Sequence, residues 1–204
     1  GGLVVFVWGF VSHVVLPVGD MGMRQPANED VVLEAIKTGL GAEGVYYLPS
    51  IAPDKMDDEA ASKAWAEKSK ASPYVFIVHR SGGYDPTDMG PNLATEFVTN
   101  VLSALVAALV AASLSLGFGG RVLMITGMGL FAFLSVNVPQ WNWYHFPTDF
   151  TLGQFVGHVV GWLLGGIAIA WWLGRGSRCS ALRARAGRGD NPRPAVAPSA
   201  PPML

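Results

Sequence analysis

Long apolar runs alternate with polar stretches along the chain, and four of the runs are long enough to cross a membrane. A transmembrane helix needs roughly 20 mostly apolar residues. None of the four runs contains Lys or Arg, and they cover residues 1–19, 93–116, 122–140 and 152–173. The pattern therefore predicts a membrane all-α protein with four transmembrane helices.

Residues 20–92, between the first two predicted helices, carry a different pattern. Asn28 precedes an amphipathic segment that ends near Gly39, and Asp57-Asp58-Glu59 opens a second one that ends near Ser72. The Asn28 side chain suits a helix N-cap, and acids in a first turn complement the helix dipole, so two helices are predicted here. The segments 45–48 and 74–79 are β-branched and aromatic, which is typical of strands.

The order strand, helix, strand predicts a βαβ-like unit with parallel pairing. Two helices and two strands bury little apolar surface by themselves. We therefore expect a small extracytoplasmic α/β insert between helices 1 and 2, and we expect it to lean on the outer loops or on a partner.

Composition agrees with a membrane protein. Half of the 204 residues are hydrophobic and 14% are charged, against about 25% in soluble domains. A net charge of −1 argues against a nucleic-acid binder. A single cysteine, Cys179, excludes an internal disulfide framework and CxxC metal motifs.

The charge distribution predicts the orientation. Between Asp20 and Glu96 there are thirteen acidic and seven basic residues, a net charge of −6. Residues 174–204 carry six arginines and one acid, and Arg121 lies in the connection between helices 2 and 3. Basic flanks stay in the cytoplasm. Both ends are therefore predicted to be cytoplasmic, with the insert and the aromatic loop 141–151 outside.

The two ends of the chain carry further expectations. It starts at Gly1-Gly2 with no methionine and no basic n-region, which is typical of a fragment or processed product whose first helix is retained. The tail, residues 174–204, is basic and rich in proline, and we expect it to be disordered.

The fourth helix carries a glycine zipper, with glycines at every fourth position. Such a stripe lets a neighbouring backbone approach closely, either within the chain or in a homodimer. We expect it to pack against the alanine stripe of the second helix, Ala104, Ala108, Ala112 and Ser115. The zipper residues are Gly153, Gly157, Gly161 and Gly165.

Polar residues inside the predicted spans are few and lie toward the outer half. Such residues are costly in lipid and usually face a partner or a cavity. Three interpretations stay open: hydrogen bonds between helices, a pocket for a small molecule or lipid, and ligation of haem or a metal. The candidate ligand-binding residues are His13, Glu96, Asn100, Asn137, Gln140, Gln154 and His158.

Haem ligation would use His13 and His158, two histidines at similar depth on different helices. The sequence has no HExxH or GxSxG motif and no phosphate loop, so we predict no catalytic residue and no metal site.

The segments WGFVSHVVLPVGDMG, PANED and WNWYHFPTDFTL resemble a group of uncharacterised bacterial inner-membrane proteins. The resemblance covers most of the chain except the tail. It implies four membrane helices with an outer insert, in a bacterial inner membrane, and it implies no known activity.

The leading hypothesis is a non-enzymatic accessory, assembly or sensing protein that contacts a protein partner through the insert; a protein partner or self-association is expected. The alternatives are a haem- or metal-binding redox protein and a small-solute carrier or channel that works as an oligomer. We expect the lipid bilayer, and no nucleic acid, among its partners.

Overall fold

The computed structural model describes residues 1–83 and 85–189, with side chains up to residue 176. The described part is mostly helical and holds one small sheet. The helices are α1 (Gly2–Phe10, continued by a π-helical turn Val11–Val15), α2 (Glu29–Gly39), α3 (Glu59–Ala71), α4 (Gly90–Ser113), α5 (Phe118–Ala132), α6 (Val138–Tyr144) and α7 (Thr148–Gly189); the strands are β1 (Gly44–Leu48) and β2 (Val75–His79).

Three of the described helices are long and apolar enough to cross a membrane. They are Gly90–Ser113, Phe118–Tyr144 and Thr148–Gly176. The first apolar helix, Gly2–Val15, is shorter. At 1.5 Å per residue it spans about 21 Å, against roughly 30 Å for a hydrocarbon core. The three longer spans confirm a membrane-protein fold class, and the fourth crossing stays a prediction.

Helix α7 is the centre of the bundle and packs against α5 on one side and α1 on another, while α1 also packs against α4. Helices α1 and α4 run antiparallel, because Gly2 lies on the backbone of Val101 and the Phe6 ring meets the Phe97 ring at 5.5 Å. The core is small and made largely of alanine and isoleucine: Ala104, Ala107, Ala111, Ile125 and Ile169.

The outer faces of the bundle are apolar. Leu123 is 74% exposed and Phe131 is 71% exposed, although both lie in the middle of a long helix. Water-soluble proteins seldom leave contiguous apolar surface of this kind uncovered. Lipid tails are the solvent that suits it.

The glycine zipper of α7 faces α1. A Cβ atom on Gly161 would lie 2.9 Å from Trp8 Cδ1, and one on Gly165 would lie 2.8 Å from Val5 Cγ2. Trp8 Nε1 donates a hydrogen bond to the Gly157 carbonyl at 3.1 Å. Gly153 meets the Val18 carbonyl beyond the end of α1. The zipper therefore forms a seam within the chain.

The expected pairing of the zipper with the alanine stripe of α4 is wrong. Ala104 is buried beside Gly1 and Ile169, but Ala112 and Ser115 are exposed. The buried positions of α4 are Ala104, Ala107 and Ala111. The Trp8 indole fills the space beside the glycines. The glycine stripe of α7 therefore packs against a large residue of α1, and not against the small residues of α4.

Both π-helical turns of the bundle precede a proline. Phe133–Asn137 joins α5 to α6 just before Pro139, and Val11–Val15 ends α1 just before Pro17. Proline has no N–H to donate and clashes with the carbonyl four residues earlier. A widened turn accommodates this, and Leu16 takes the extended conformation that precedes proline.

The insert forms the four predicted elements. The Asn28 side chain accepts a hydrogen bond from Val31 N at 3.2 Å, and the Asp58 side chain accepts from Ala60 N and Ala61 N. Acidic first turns and lysines near the ends of α2 and α3 complement the helix dipoles.

The two strands pair antiparallel, so the prediction of parallel pairing is wrong. Leu48, the last residue of β1, lies opposite Val75, the first residue of β2. The connection between the strands holds a ten-residue stretch as well as α3. It is therefore long enough for the chain to return to the end of the sheet where β1 ends and β2 begins. The Trp65 indole fastens α3 near the end of β1 by donating to the Pro49 carbonyl at 3.0 Å.

Helix α7 runs on beyond the apolar segment to Gly189. Arginine and alanine, which are good helix formers, are frequent in this stretch. The expected disorder of the tail stays a prediction. Residues 190–204 lie outside the described part.

Candidate functional site

The insert docks onto the short loop between α6 and α7. The Phe76 ring of β2 contacts the Tyr144 ring at 5.1 Å and the Phe146 ring at 5.9 Å. The Tyr74 ring meets the edge of His145 at 4.9 Å. The insert therefore contacts the aromatic loop through ring contacts, and the position of both outside the membrane stays a prediction.

His145 shapes this dock. It ends α6 in the left-handed conformation, with φ of 54°, so the chain turns sharply from α6 into the loop. Phe146 N then donates to the Gln140 carbonyl at 3.4 Å. The reversal carries Phe146 between Phe76 and Phe150, whose ring lies 5.3 Å away.

A second attachment joins the start of the insert to the start of α7. Arg24 Nη2 lies 2.8 Å from Asp149 Oδ2, with both side chains partly exposed. Gly22 has φ of +78°, and a Cβ atom there would lie 2.6 Å from Phe150. Only glycine suits both this conformation and this closeness. The insert is therefore held at one end of the bundle.

One face of the small sheet is only partly covered. Val45 and Val78 lie opposite each other on the same face as Phe76. Phe76 is half-buried in the dock, but Val45 is 61% exposed and Val78 is 74% exposed.

Helix α2 leaves more apolar area uncovered. Val31, Val32 and Leu33 are 62%, 44% and 54% exposed, and no residue of α2 is buried. The helix is amphipathic, with Glu29, Asp30, Glu34 and Lys37 among its polar positions.

At the end of the sheet where β1 begins, a carboxylate bonds to the segment that follows β2. Glu43 Oε1 accepts hydrogen bonds from Ser81 Oγ at 2.9 Å and from Ser81 N at 3.1 Å. These hydrogen bonds hold the pKa of the Glu43 carboxyl below its ordinary value of 4.5, and the bond from the Ser81 side chain has the largest effect. Next to it, His79 Nδ1 donates to the Ala42 carbonyl at 2.8 Å.

The lowered pKa of Glu43 predicts the direction of a pH effect on the insert. Its stabilisation is fully present above pH 4.5, the value expected when unfolded, and is lost as the pH falls through the lower folded pKa. Glu43→Gln should lower the thermal midpoint of the insert more at pH 7 than at pH 3, measured by near-UV circular dichroism. Glu34→Gln, which removes a charge from α2 instead, should not show this pH dependence. Equal effects of Glu43→Gln at the two pH values would contradict the prediction.

The polar residues of the bundle bond mainly within their own helices. Asn100 Nδ2 donates to Glu96 Oε1 at 2.9 Å. His13 Nδ1 lies 2.9 Å from the Gly9 carbonyl, and His158 Nδ1 lies 2.9 Å from the Gln154 carbonyl. Within the described ranges, no hydrogen bond joins two of the seven candidate residues on different helices.

Asn137 differs from the other candidates because it is buried, with 7% of its surface exposed. Its Oδ1 atom has no hydrogen-bond partner in the part of the chain that the structure describes. Gln140 and Gln154 are half-buried. The carbonyl of Gln140 belongs to the α6 cap, and that of Gln154 holds His158.

His158 Nδ1 donates to the Gln154 carbonyl, which leaves the lone pair of a neutral ring on Nε2, the atom that a metal or haem ligand uses. His13 Nδ1 lies 2.9 Å from the Gly9 carbonyl and 3.0 Å from Ser12 Oγ, so its contacts fit either tautomer. Among residues 1–83 and 85–189, no group of three or more His, Cys, Asp or Glu side chains is placed to hold a metal ion.

Most of the residues that hold the insert in place carry no distinct signal in the sequence. The pattern around Phe76 indicates a strand and does not indicate a docking residue. The sequence does offer a sign of the Arg24–Asp149 ion pair, because Asp149 is the one acidic residue of the loop 141–151. Trp8 was read only as part of an apolar helix.

No protein-family model, curated protein or solved structure matches the chain. The resemblance to uncharacterised four-helix inner-membrane proteins therefore stays a prediction.

Proposed function

We propose that the chain is a multi-pass protein of a bacterial inner membrane, crossing it four times with both ends in the cytoplasm. The antiparallel packing of α1 on α4 supports a first crossing by α1. Arg121 and Arg175 lie at the end of the bundle opposite the insert, and basic residues favour the cytoplasmic side. The acidic insert then lies outside.

Its proposed role is that of a non-enzymatic accessory, assembly or sensing protein that contacts a partner protein through the insert. The uncovered apolar side of α2 carries this proposal. An amphipathic helix commonly binds by laying its apolar side into a groove of another protein. Val32 and Leu33 lie on that side together with the half-buried Ile36, and the dock at Phe76 holds the insert in place without using them.

The charge of the insert indicates what kind of partner it suits. Helices that lie on membrane surfaces are rich in Lys and Arg, because they bind anionic lipid. The insert, residues 20–92, carries twelve acidic and seven basic residues, a net charge of −5, and α2 carries three acids and one lysine. A protein groove with a basic rim suits this surface better than a lipid headgroup does.

The test is capture of a partner from gently solubilised, chemically cross-linked membranes, using the whole tagged chain. Wild type should retain a reproducible partner, and the double variant Val32→Asp/Leu33→Asp should reduce its yield at least tenfold, since two buried charges would be unpaired. Glu34→Ala, on the same helix, is the matched control and should retain the partner.

Two outcomes count against this role. One is a wild-type protein that is monodisperse without any reproducible partner. The other is equal capture by wild type and the double variant, which would place the contact elsewhere on the molecule.

A haem- or metal-binding redox role that uses His13 and His158 is the second candidate. His158 supports it, because its Nδ1 contact to the Gln154 carbonyl leaves the lone pair of a neutral ring on Nε2, the atom that would ligate iron. A visible spectrum of protein purified from haem-supplemented cells tests it. A Soret band that His158→Ala removes would support it, and a colourless protein would end it.

A further inference from the structure

The small sheet of the insert has an open edge along β1. Among residues 1–83 and 85–189, β1 and β2 pair with each other, and no main-chain hydrogen bond joins either strand to a further segment. The N–H and C=O groups of a strand point alternately to its two sides, so about half of those of β1 face away from β2. In the described part of the chain these groups have no main-chain partner.

The bundle lies beside β2 and leaves β1 accessible. Within the described ranges, the ring contacts between the insert and the loop 141–151 come from Phe76 of β2 and from Tyr74 just before it. On β1, Val45 is 61% exposed and Tyr47 is 42% exposed. Both lie on the face of the sheet that Phe76 occupies, because Tyr47 is opposite Phe76 and Val45 is two positions away.

Strand β1 lacks the features by which proteins protect an exposed edge. Edge strands usually carry a lysine, a proline or a bulge that prevents another strand from pairing. The sequence of Gly44–Leu48 is Gly-Val-Tyr-Tyr-Leu, without a charge or a proline, and all five positions pair with β2 without a bulge. A two-stranded sheet is only marginally stable in water, and a third strand would stabilise it.

We propose that β1 receives an extended segment of the partner protein as a third strand of the sheet. This proposal rests on the proposed role of the insert in binding a partner, and it adds the secondary structure of the segment that is bound. Main-chain hydrogen bonds along β1 provide the affinity, and alternate side chains of the added strand lie beside Val45 and Tyr47.

The surface of the insert indicates the chemistry of the added strand. Its side chains on the face of Val45 and Tyr47 should be apolar, because those two residues are. Its other side chains should be basic, since residues 20–92 have a net charge of −5. Asp54, Asp57 and Asp58 lie in the connection that follows β1. A second copy of the chain suits this edge less well, because two acidic inserts repel each other.

A synthetic peptide of alternating valine and lysine tests the proposal on the whole protein in phosphatidylcholine nanodiscs. Fluorescence anisotropy should show binding, and alternate amides of β1 should exchange hydrogen more slowly in the complex while those of β2 do not change. The same peptide with methyl groups on alternate main-chain nitrogens keeps its charge but loses donors. It should bind about fivefold more weakly, the effect of losing one main-chain hydrogen bond.

Val45→Lys and Val78→Lys form a matched pair, because the two valines lie opposite each other on one face and both are exposed. Val45→Lys places a lysine on the open edge and should weaken binding of the peptide about fivefold or more. Val78→Lys adds the same charge one strand further away and should change binding less than twofold.

Three results would overturn the added strand: no binding of the peptide, equal binding of the methylated peptide, or equal loss in the two lysine variants, which would place the peptide on the face of the sheet. Self-association of wild type that Val45→Lys abolishes would also overturn it, since a second copy would then occupy the edge. Capture of a partner through α2 does not depend on this peptide. The proposed role of the insert can therefore stand where the added strand fails.

Discussion

Gly129→Ala is expected to destabilise the bundle by about 1–3 kcal/mol, the cost of inserting an extra methyl group into a packed contact. A Cβ atom on Gly129 would lie 2.7 Å from Trp162 Cβ and 2.9 Å from the His158 carbonyl oxygen. The second is backbone of α7, so relief requires α5 and α7 to move apart. Unfolding of purified protein in mixed micelles, followed by far-UV circular dichroism, measures this loss.

Gly127 provides the matched control two residues away on the same helix. A Cβ atom there would meet none of the described atoms within 4 Å. Gly127→Ala should therefore be neutral or stabilise by about 0.5–1 kcal/mol, because alanine favours helix more than glycine does. Equal destabilisation by both variants would show that α5 and α7 do not meet at Gly129.

Phe76→Ala is expected to release the insert from the bundle. The ring of Phe76 contacts Tyr144 and Phe146 and is half-buried, so its removal should cost about 2–3 kcal/mol in local stability. The spanning helices do not depend on this contact and should stay folded. Hydrogen–deuterium exchange should speed up in β2 and in the loop 141–151, and stay unchanged in α5.

Val78→Ala is the control for this loss, because Val78 lies on the same strand and the same face but is 74% exposed. It should leave exchange in β2 nearly unchanged. If Phe76→Ala also left exchange unchanged, the aromatic dock would not be what holds the insert.

The local structure of the chain could be predicted because each element has its signal in a few neighbouring residues. Asn28 and Asp58 cap the helices that follow them, and β2 was predicted within one residue of its start. The long apolar runs predicted α4, α5–α6 and α7 because length and hydropathy are enough to define a span.

The contacts between elements could not be predicted in the same way. A strand–helix–strand order does not determine whether the strands pair parallel or antiparallel. The ten residues before α3 make the connection long enough for the antiparallel pairing that is observed. A glycine zipper predicts a close neighbour without saying which one, and Trp8 of α1 is that neighbour. The dock at Phe76 depends on aromatic residues about seventy positions apart in sequence, which no local pattern relates.

We propose that the insert and the turn between α4 and α5 lie on opposite sides of the membrane. Single cysteines at Lys63 in the insert and at Gly119 beyond that turn, in a Cys179→Ser background, test it with a membrane-impermeant maleimide. Both sites are exposed, and Gly119 has room for a side chain. We expect labelling of Lys63→Cys in intact cells and of Gly119→Cys only after the inner membrane is permeabilised. Labelling of both from the same side, or of Lys63→Cys only after permeabilisation, would contradict it.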